Sequence, residues 1–576
     1  MKRKNWGLFA LLLTVLLSLF MFLLLYRDSL IPVEQPEAAP ESSSLEHWSV
    51  ETSSANGAPL NDDKRIYEHD NSIYDVYISV FPTKDETGRM LDFSDFQFHK
   101  ARDHSYNPTL NCNIQILPEN GKLDPLTNLD KTNASIRVRG NSARGDKYKS
   151  YKVKLKDEKD AFYGQTSLNI NKHSEDQTKI TTKFCTDILQ EIDDLPSYRT
   201  NFMRVWIRDT SLPEDQQSFQ YYGLFTQMEQ PNKKFLDARS LSPNCVMYKA
   251  RNFYFQEAEA LVDITDPDYN EFDFEEHLGI REGKDHQKLM ELLEVVNDET
   301  IDITDIMGTY FNEDNYLSWL AFNILVGGED ILNHNYLLYS PNNSKTWYFL
   351  TWDFDSNMDE SKLSYLPPSL RGGQKLNQVS FHRRYFKVPG NLQKLQARME
   401  EMLDYQFTPE HIASLTAGYQ DVLEKTMTLQ PDLGLLHMAP DELLPYIETF
   451  PDIIQKNYDN FVKAIQYPAP MFVSMPSLND DGTLHLAWDP SYSYQGRTIT
   501  YKVQIANDCH MKDILFEKNR IINTSLDADI NLDPGTYYLK VWAIDSEGHE
   551  QVSLEHYEQD GISFIYESGV LEFKLS

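Results

Sequence analysis

Cysteine is scarce in this 576-residue chain. The four present, Cys112, Cys185, Cys245 and Cys509, form no CxxC or Cys/His spacing, which argues against a structural zinc site. Their scarcity suits an exported protein that does not depend on disulfides. A Cys112–Cys245 or Cys185–Cys245 bridge stays open, because connectivity is not readable from a sequence. Positive charge is also short. Lys and Arg number 54 against 88 Asp and Glu, a net charge of −34, and this argues against nucleic acid as a partner, which needs a basic footprint. The sequence contains no Gly-x4-Gly-Lys-Ser/Thr loop and no Gly-x-Gly-x-x-Gly, so the common phosphate-cradling loops are missing.

What is present begins with the N-terminus. Lys2-Arg3-Lys4 precedes an uncharged, mostly apolar run from Trp6 to Tyr26. About 20 such residues span a bilayer, and the cations on the leading side place the N-terminus in the cytoplasm and the rest outside. A cleaved signal peptide is the rival reading, against which stand the length of the run and the lack of a small-x-small site directly after it. The expected organisation is a basic start and transmembrane anchor over 1–27, a flexible stalk over 28–65, a mixed α+β domain over 66–466, and a β-sandwich over 467–576. The stalk is rich in Pro, Glu, Ser and Ala and has too little apolar surface to offset the entropy of ordering.

Within 66–466, alternating segments predict strands near 73–80, 113–116, 135–139, 151–155, 202–207 and 222–229. Helical spacing covers 178–191, much of 284–326, and 391–466. The order, strands first and helices after, is that of a two-lobed kinase and of many other α+β folds. Beyond Pro468-Ala469-Pro470, short strands, an early Trp488 and a late Leu532-x-Pro534-Gly535-x-Tyr537 are the pattern of an immunoglobulin-like sandwich, with a residue order that resembles a fibronectin type III module.

The chemistry concentrates around Asp330. Asn335 follows five residues later, then Tyr336–Tyr339 and Trp347–Trp352 as two apolar runs separated by Pro341-Asn342-Asn343-Ser344, then Asp353-Phe354-Asp355. This reads as a hairpin that returns Asp353 to Asn335. A protein kinase uses one Asp to accept the acceptor hydroxyl proton, an Asn five residues on for a metal, and a second Asp for Mg²⁺. Asp330 is thus the candidate base, and Asn335, Asp353 and Asp355 are candidate metal ligands. The lead-in His-Arg-Asp and a clean Asp-Phe-Gly are both missing. On the phosphate side, Arg139 and Ser142 lie in a glycine-containing turn, followed by Lys149 and Lys152, all able to meet phosphate oxygens. Glu229 closes an apolar strand, placed to pair with a phosphate-binding Lys or to sit at the adenine edge, and Lys249 is a further phosphate-side cation.

The ordered set Arg139-Gly140-Asn141-Ser142, Lys149-Ser150-Tyr151-Lys152, Phe202-x-Arg204, Tyr222-Gly223-Leu224-Phe225 with Glu229, Gly327-x-x-Asp330-x4-Asn335 and Trp352-Asp353-Phe354-Asp355 resembles the CotH-type spore coat kinase family over roughly residues 70–465. That resemblance implies an atypical protein-kinase-like fold, ATP with Mg²⁺ or Mn²⁺, and phosphate transfer to serine or threonine of secreted or coat proteins, with Asp330 and Asp353 as the essential carboxylates. Gly328-Glu329 stands where the family more often has Asn before the Asp. Two other readings remain: a non-catalytic surface adhesion protein on a kinase-like scaffold, with a cell-surface or carbohydrate partner for the C-terminal module, and a carboxylate-pair hydrolase.

Overall fold

The computed structural model describes residues 57–67, 71–98, 107–140, 142–328, 331–359, 361, 364–559 and 564–575. The apolar run over 6–26 lies outside them. Among the described residues no helix is long and apolar enough to cross a membrane.

Seven strands close into a barrel: β1 (Ile73–Phe81), β2 (Thr109–Pro118), β3 (Ala134–Arg139), β4 (Ser150–Leu155), β5 (Ser167–Asn171), β6 (Thr200–Asp209) and β7 (Gln220–Glu229). Their spatial order is β1-β2-β3-β4-β5-β7-β6, and β6 runs parallel to β1 to shut the ring. The period-two alternation of each strand builds the interior. Ile136, Val138, Tyr151, Val153, Leu168, Ile170, Met203 and Phe225 fill it. The opposite parity faces outward. On β6 and β7 that outer face carries Phe202, Leu224 and Met228 and packs into the core of the helical part. On β3, β4 and β5 it carries Arg137, Arg139, Lys152, Asn169 and Asn171 instead.

A second sheet follows, β8 (Cys245–Ala250), β9 (Leu278–Glu282), β10 (Tyr336–Pro341) and β11 (Tyr348–Thr351), in the order β9-β8-β10-β11. The predicted hairpin is β10–β11, with Tyr336 opposite Thr351. Behind it runs the helix Glu313–Leu325, buried from Asn315 to Leu325. A helix apolar all round belongs inside a core. Asn312 caps it by accepting from the Asn315 N–H, with Glu313 and Asp314 in the first turn, as favours an N-terminus. Asn315 then reaches across to β11, donating to the Phe349 carbonyl at 3.0 Å and accepting from its N–H at 2.7 Å. Trp319 stacks on Phe349 with centroids 4.4 Å apart. The helix thereby fixes the strand that leads into Trp352-Asp353. A buried pair, Lys172 Nζ to Asp432 Oδ1 at 2.6 Å, ties the barrel to the helical part.

Residues 57–65, expected as part of the flexible stalk, are among the described residues and pack onto the domain. Gly57 N–H donates to Thr346 Oγ1 at 2.8 Å, Tyr348 OH to the Ala58 carbonyl at 2.8 Å, and Lys64 Nζ to the Ile192 carbonyl at 2.7 Å. Composition missed this strap because it is held largely by hydrogen bonds of its backbone and of Lys64, with Leu60 and Tyr67 its two buried apolar anchors. All four cysteines are free thiols, so neither of the two bridges left open by the sequence forms.

From 469 onwards two sheets share one core. Leu484–Ala487 and Ser525–Ala528 belong to one, and Ile499–Ala506, Gly535–Asp545 and Val570–Leu575 to the other. Trp488, Tyr501, Val503 and Val541 meet between them. Tyr537 OH donates to the Asp533 carbonyl at 2.8 Å, the corner expected from the Leu-x-Pro-Gly-x-Tyr run. The unit touches the helical part through Gln551 Nε2 to the Ser369 carbonyl at 3.0 Å and Tyr494 OH to Gln374 Oε1 at 2.9 Å.

Candidate functional site

The open end of the β10–β11 hairpin organises the site. Trp352 N–H donates to the Asn335 carbonyl at 3.1 Å, one step beyond the last paired residues. Both flanking residues leave the sheet with left-handed backbones, Asn335 at φ 61° and Asp353 at φ 68°. Such conformations cost non-glycine residues about 1–3 kcal/mol each and cluster at sites of function. Here they bring the two predicted ligands to the same strand ends. The Asp353 side chain is 46 % exposed, hence open to a ligand, with Lys249 Nζ 3.9 Å from its Oδ2. His173 Nδ1 lies 3.7 Å from Asp355 Oδ2, and His173 itself has φ 51°.

The electrostatics are those of a crowded, partly dehydrated cleft. Withdrawal from water and the charge of Asp355 raise the Asp353 carboxyl above the usual range, against the pull of Lys249, Arg139 and His173. A carboxylate pair of this kind gains from a cation. Across the cleft, burial lowers Arg139, which Asp353 and Asp355 partly offset. Burial pushes Lys152 down to about 8, assisted by Arg137, Arg139, Arg281 and Lys154. Lys249 falls to about 8 by burial, opposed by Asp353 and assisted by Arg281, Arg139 and Arg251. Arg281 drops to about 10 for the same reason, with Arg251 beside it. The register puts Arg137 directly opposite Lys152, a like-charge pair that destabilises a sheet unless something anionic lies over it.

Of the predicted residues, the fold therefore gathers Arg139, Lys152, Lys249, Asp353 and Asp355 at one cleft and places Asn335 beside Asp353. Two go elsewhere. Lys149 is fully buried, and its Nζ donates to the Arg144 carbonyl, closing the turn from within. Glu229 is buried between Arg199 and Arg239, with Arg239 Nη2 2.6 Å from its Oε2. Burial would raise its carboxyl, and the two guanidinium groups outweigh that and lower it. It is a structural ion cluster, also tied to Tyr67 OH and the Ser197 carbonyl through Arg239. Lys149 and Glu229 share one cause. Glu229 pairs with Leu168 and so takes the interior parity of β7, while Lys149 is one residue off the outward parity of Ser150 and Lys152. The Ser142 side chain and Asp330 lie outside the described residues. Gly328 and Ile331, on either side of Asp330 in sequence, line one small recess together with Asn323, Ile324 and Leu376.

Sequence reasoning missed Arg137, Arg251, Arg281 and His173. Arg137 was findable, because it alternates with Arg139 on β3 as Lys152 does with Lys154 on β4. The others sit on a strand, a loop and a turn with no periodic signal.

Asn335, Asp353 and Asp355 offer oxygen donors, which suit a hard cation such as Mg²⁺. Among the described residues no three His, Cys, Asp or Glu side chains converge on one point.

A family model described as "CotH kinase protein" matches residues 136–451, more than half of the chain. The chain belongs to the CotH kinase family. The CotH match opens inside β3, and it spans every cleft residue named above. It leaves out β1, β2 and the C-terminal two-sheet unit. Inner spore coat protein H of Bacillus subtilis (strain 168) is similar, at 21 % identity over 338 residues that cover 58 % of this chain and 80 % of that protein.

Proposed function

We propose that this protein is an extracytoplasmic, membrane-anchored atypical protein kinase that transfers the γ-phosphate of ATP to serine or threonine of secreted or coat proteins. The observation that carries the reading is the facing of Asp353 and Asp355 against Arg139, Lys152 and Lys249 in one cleft of a CotH-family chain. The cations would hold the triphosphate by charge-assisted hydrogen bonds. Asn335, Asp353 and Asp355 would hold Mg²⁺ or Mn²⁺, which when bound neutralises charge on the transferring phosphoryl group. Asp330 would orient the acceptor hydroxyl and take its proton. Positioning and charge neutralisation are most of what phosphoryl transfer asks of a protein. The curated relative's name supports a coat-associated or extracellular place, and the apolar run over 6–26 supports the anchor. The C-terminal unit reads as a fibronectin type III-like module for a cell-surface or carbohydrate partner.

That module, together with the missing His-Arg-Asp lead-in, also supports a second reading, an adhesion protein on a kinase-like scaffold without turnover. Incubation of the full chain with γ-labelled ATP and a serine-rich secreted protein separates the two. Label transfer that needs Mg²⁺ or Mn²⁺ and is lost in Asp330→Asn and Asp353→Asn supports the kinase. Equal labelling by the variants overturns that assignment of the site, and no labelling by any form favours the adhesin.

A further inference from the structure

The C-terminal two-sheet unit lies beyond the family match, which ends at residue 451, yet it grips one stretch of the helical part, residues 364–378, with three side chains. Gln551, fully buried, donates from Nε2 to the Ser369 carbonyl at 3.0 Å. Tyr494 OH donates to Gln374 Oε1 at 2.9 Å and accepts from Asn377 Nδ2 at 3.3 Å, and its ring packs on the main core. Gln374 and Asn377 are 3 % and 2 % exposed, so this hydroxyl serves two amides withdrawn from water. Tyr566 meets Tyr365 edge to face, with ring centroids 4.9 Å apart, a favourable arrangement for two aromatic rings.

The gripped stretch forms one wall of a recess. At its middle, Gly372 and Gly373 take left-handed backbones, φ 59° and 81°, and press on the helices behind them. A Cβ on Gly372 would come 2.5 Å from Phe461 Cα in the helix Phe450–Ala464, and one on Gly373 2.8 Å from Ile324 Cδ1 in the helix Glu313–Leu325. Only glycine lets the backbone pass so close. Next in sequence, Lys375 and Leu376 line the small recess together with Gly328, Ile331 and Leu332. One side of the recess is thus the loop that flanks position 330, and the other is the stretch held by the C-terminal unit. Lys375 is steadied from that unit as well. Its Nζ donates to Tyr365 OH at 3.2 Å and stands 5.3 Å from the Tyr365 ring centroid, within cation–π range, and Tyr365 is the ring on which Tyr566 rests. Neither Arg139, Lys152 nor Lys249 lines this recess, so it is separate from the cationic cleft.

We propose that the C-terminal unit is a positioning element for the acceptor protein. Through Tyr494, Gln551 and Tyr566 it fixes the 371–376 wall and Lys375 opposite the loop that flanks position 330, and so governs how a serine- or threonine-bearing segment seats there, while the nucleotide side is left alone. This rests on the phosphate-transfer reading of the site. It gives the unit a part in the reaction besides any cell-surface partner, and makes a partner bound to the unit able to reach the acceptor recess through two tyrosines.

The test uses the full chain and its Tyr494→Phe/Tyr566→Ala double variant, with two readouts. In amide hydrogen exchange, the variant exchanges at least fivefold faster over 371–376 and as the wild type does over the β10–β11 hairpin, because only the local opening has become easier. In kinetics with dephosphorylated casein, a serine-rich secreted protein, as acceptor, the variant's KM for casein rises at least fivefold and its KM for ATP stays within twofold, a split that a general loss of structure does not produce. Lys375→Met, a change at the recess rim, keeps the question answerable should the double variant fail to fold: it raises the casein KM severalfold, and Lys375→Arg restores most of it. Unchanged exchange over 371–376, or a rise of both KM values by the same factor, overturns the positioning role and leaves the kinase reading standing. Absence of transfer by the wild type overturns the kinase reading and the acceptor role together.

Discussion

Two charged clusters sit on the same barrel one residue of parity apart. Glu229 lies buried with Arg199 and Arg239, and Arg239 also donates to Tyr67 OH and to the Ser197 and Phe235 carbonyls. In that cluster every charge meets a partner, and the neighbours hold the carboxyl ionised. On the opposite parity, Arg137, Arg139 and Lys152 gather with Lys249 and Arg281 from the second sheet, and burial lowers the proton affinity of Arg139, Lys152, Lys249 and Arg281. Acidic counterweight comes from Asp353 and Asp355, across the cleft. The first cluster is complete within the protein and supports the fold. The second is under-neutralised and strained at Asn335, Asp353 and His173, which is the signature of a surface built for something else to complete.

The comparison can be broken at either end. Asp353→Asn has the largest expected effect: phosphate transfer falls by roughly 10³-fold, about 4 kcal/mol at the transition state, with a melting temperature within a few degrees of wild type. A large loss of Tm instead would make Asp353 a structural group. Glu229→Gln is the converse. Removing the acid leaves two guanidinium groups unbalanced, and chemical denaturation should register a loss of about 3 kcal/mol, while the folded protein binds Mg·ATP as before. Lys152→Met comes next, with Mg·ATP affinity down about tenfold by loss of one charge-assisted contact and no loss of stability without nucleotide, since it relieves like-charge crowding with Arg137.

The smallest effect is that of pH. Lys152 is held at about 8, below the ordinary lysine value of 10.5, by burial and then by the neighbouring cations. Its native state therefore binds fewer protons than the unfolded chain between those values, and its charge works against the empty fold below about 8. A bound anion favours the charged form. Mg·ATP affinity should then be fully expressed below pH 8 and decline severalfold as pH rises past it, and Lys152→Met should shrink that decline in a titration series to the part that Lys249, also at about 8, contributes.

Much of this was legible in the sequence because the segments concerned obey simple periodicities. The β10–β11 hairpin follows from two apolar runs around a Pro-Asn-Asn-Ser turn, and that turn brings Asp353 back to Asn335. The alternation Tyr151-Lys152-Val153-Lys154-Leu155 placed Lys152 on the outward face correctly. Lys149 and Glu229 were misplaced because they lie at strand ends, where one residue decides between interior and cleft and composition gives no sign of which. Lys249 and Arg281 come from β8 and β9, which pair in the second sheet, so no local pattern announces their meeting with Arg139. His173 owes its place to a left-handed turn after β5, which spacing cannot foretell. The strap from Gly57 was hidden for a related reason: most of its contacts are hydrogen bonds of backbone, Lys64 and Tyr67 OH, and its two buried apolar anchors, Leu60 and Tyr67, are too few to make a periodic pattern.

The most direct test of the central claim, that the carboxylates of the cleft serve phosphate transfer from a nucleotide, is incorporation of label from γ-labelled ATP into a serine-rich secreted protein by the full chain and by its Asp353→Asn form at matched stability. Metal-dependent labelling by the wild type with a loss of roughly 10³-fold in the variant is the predicted result. Labelling that is the same in both forms would contradict it.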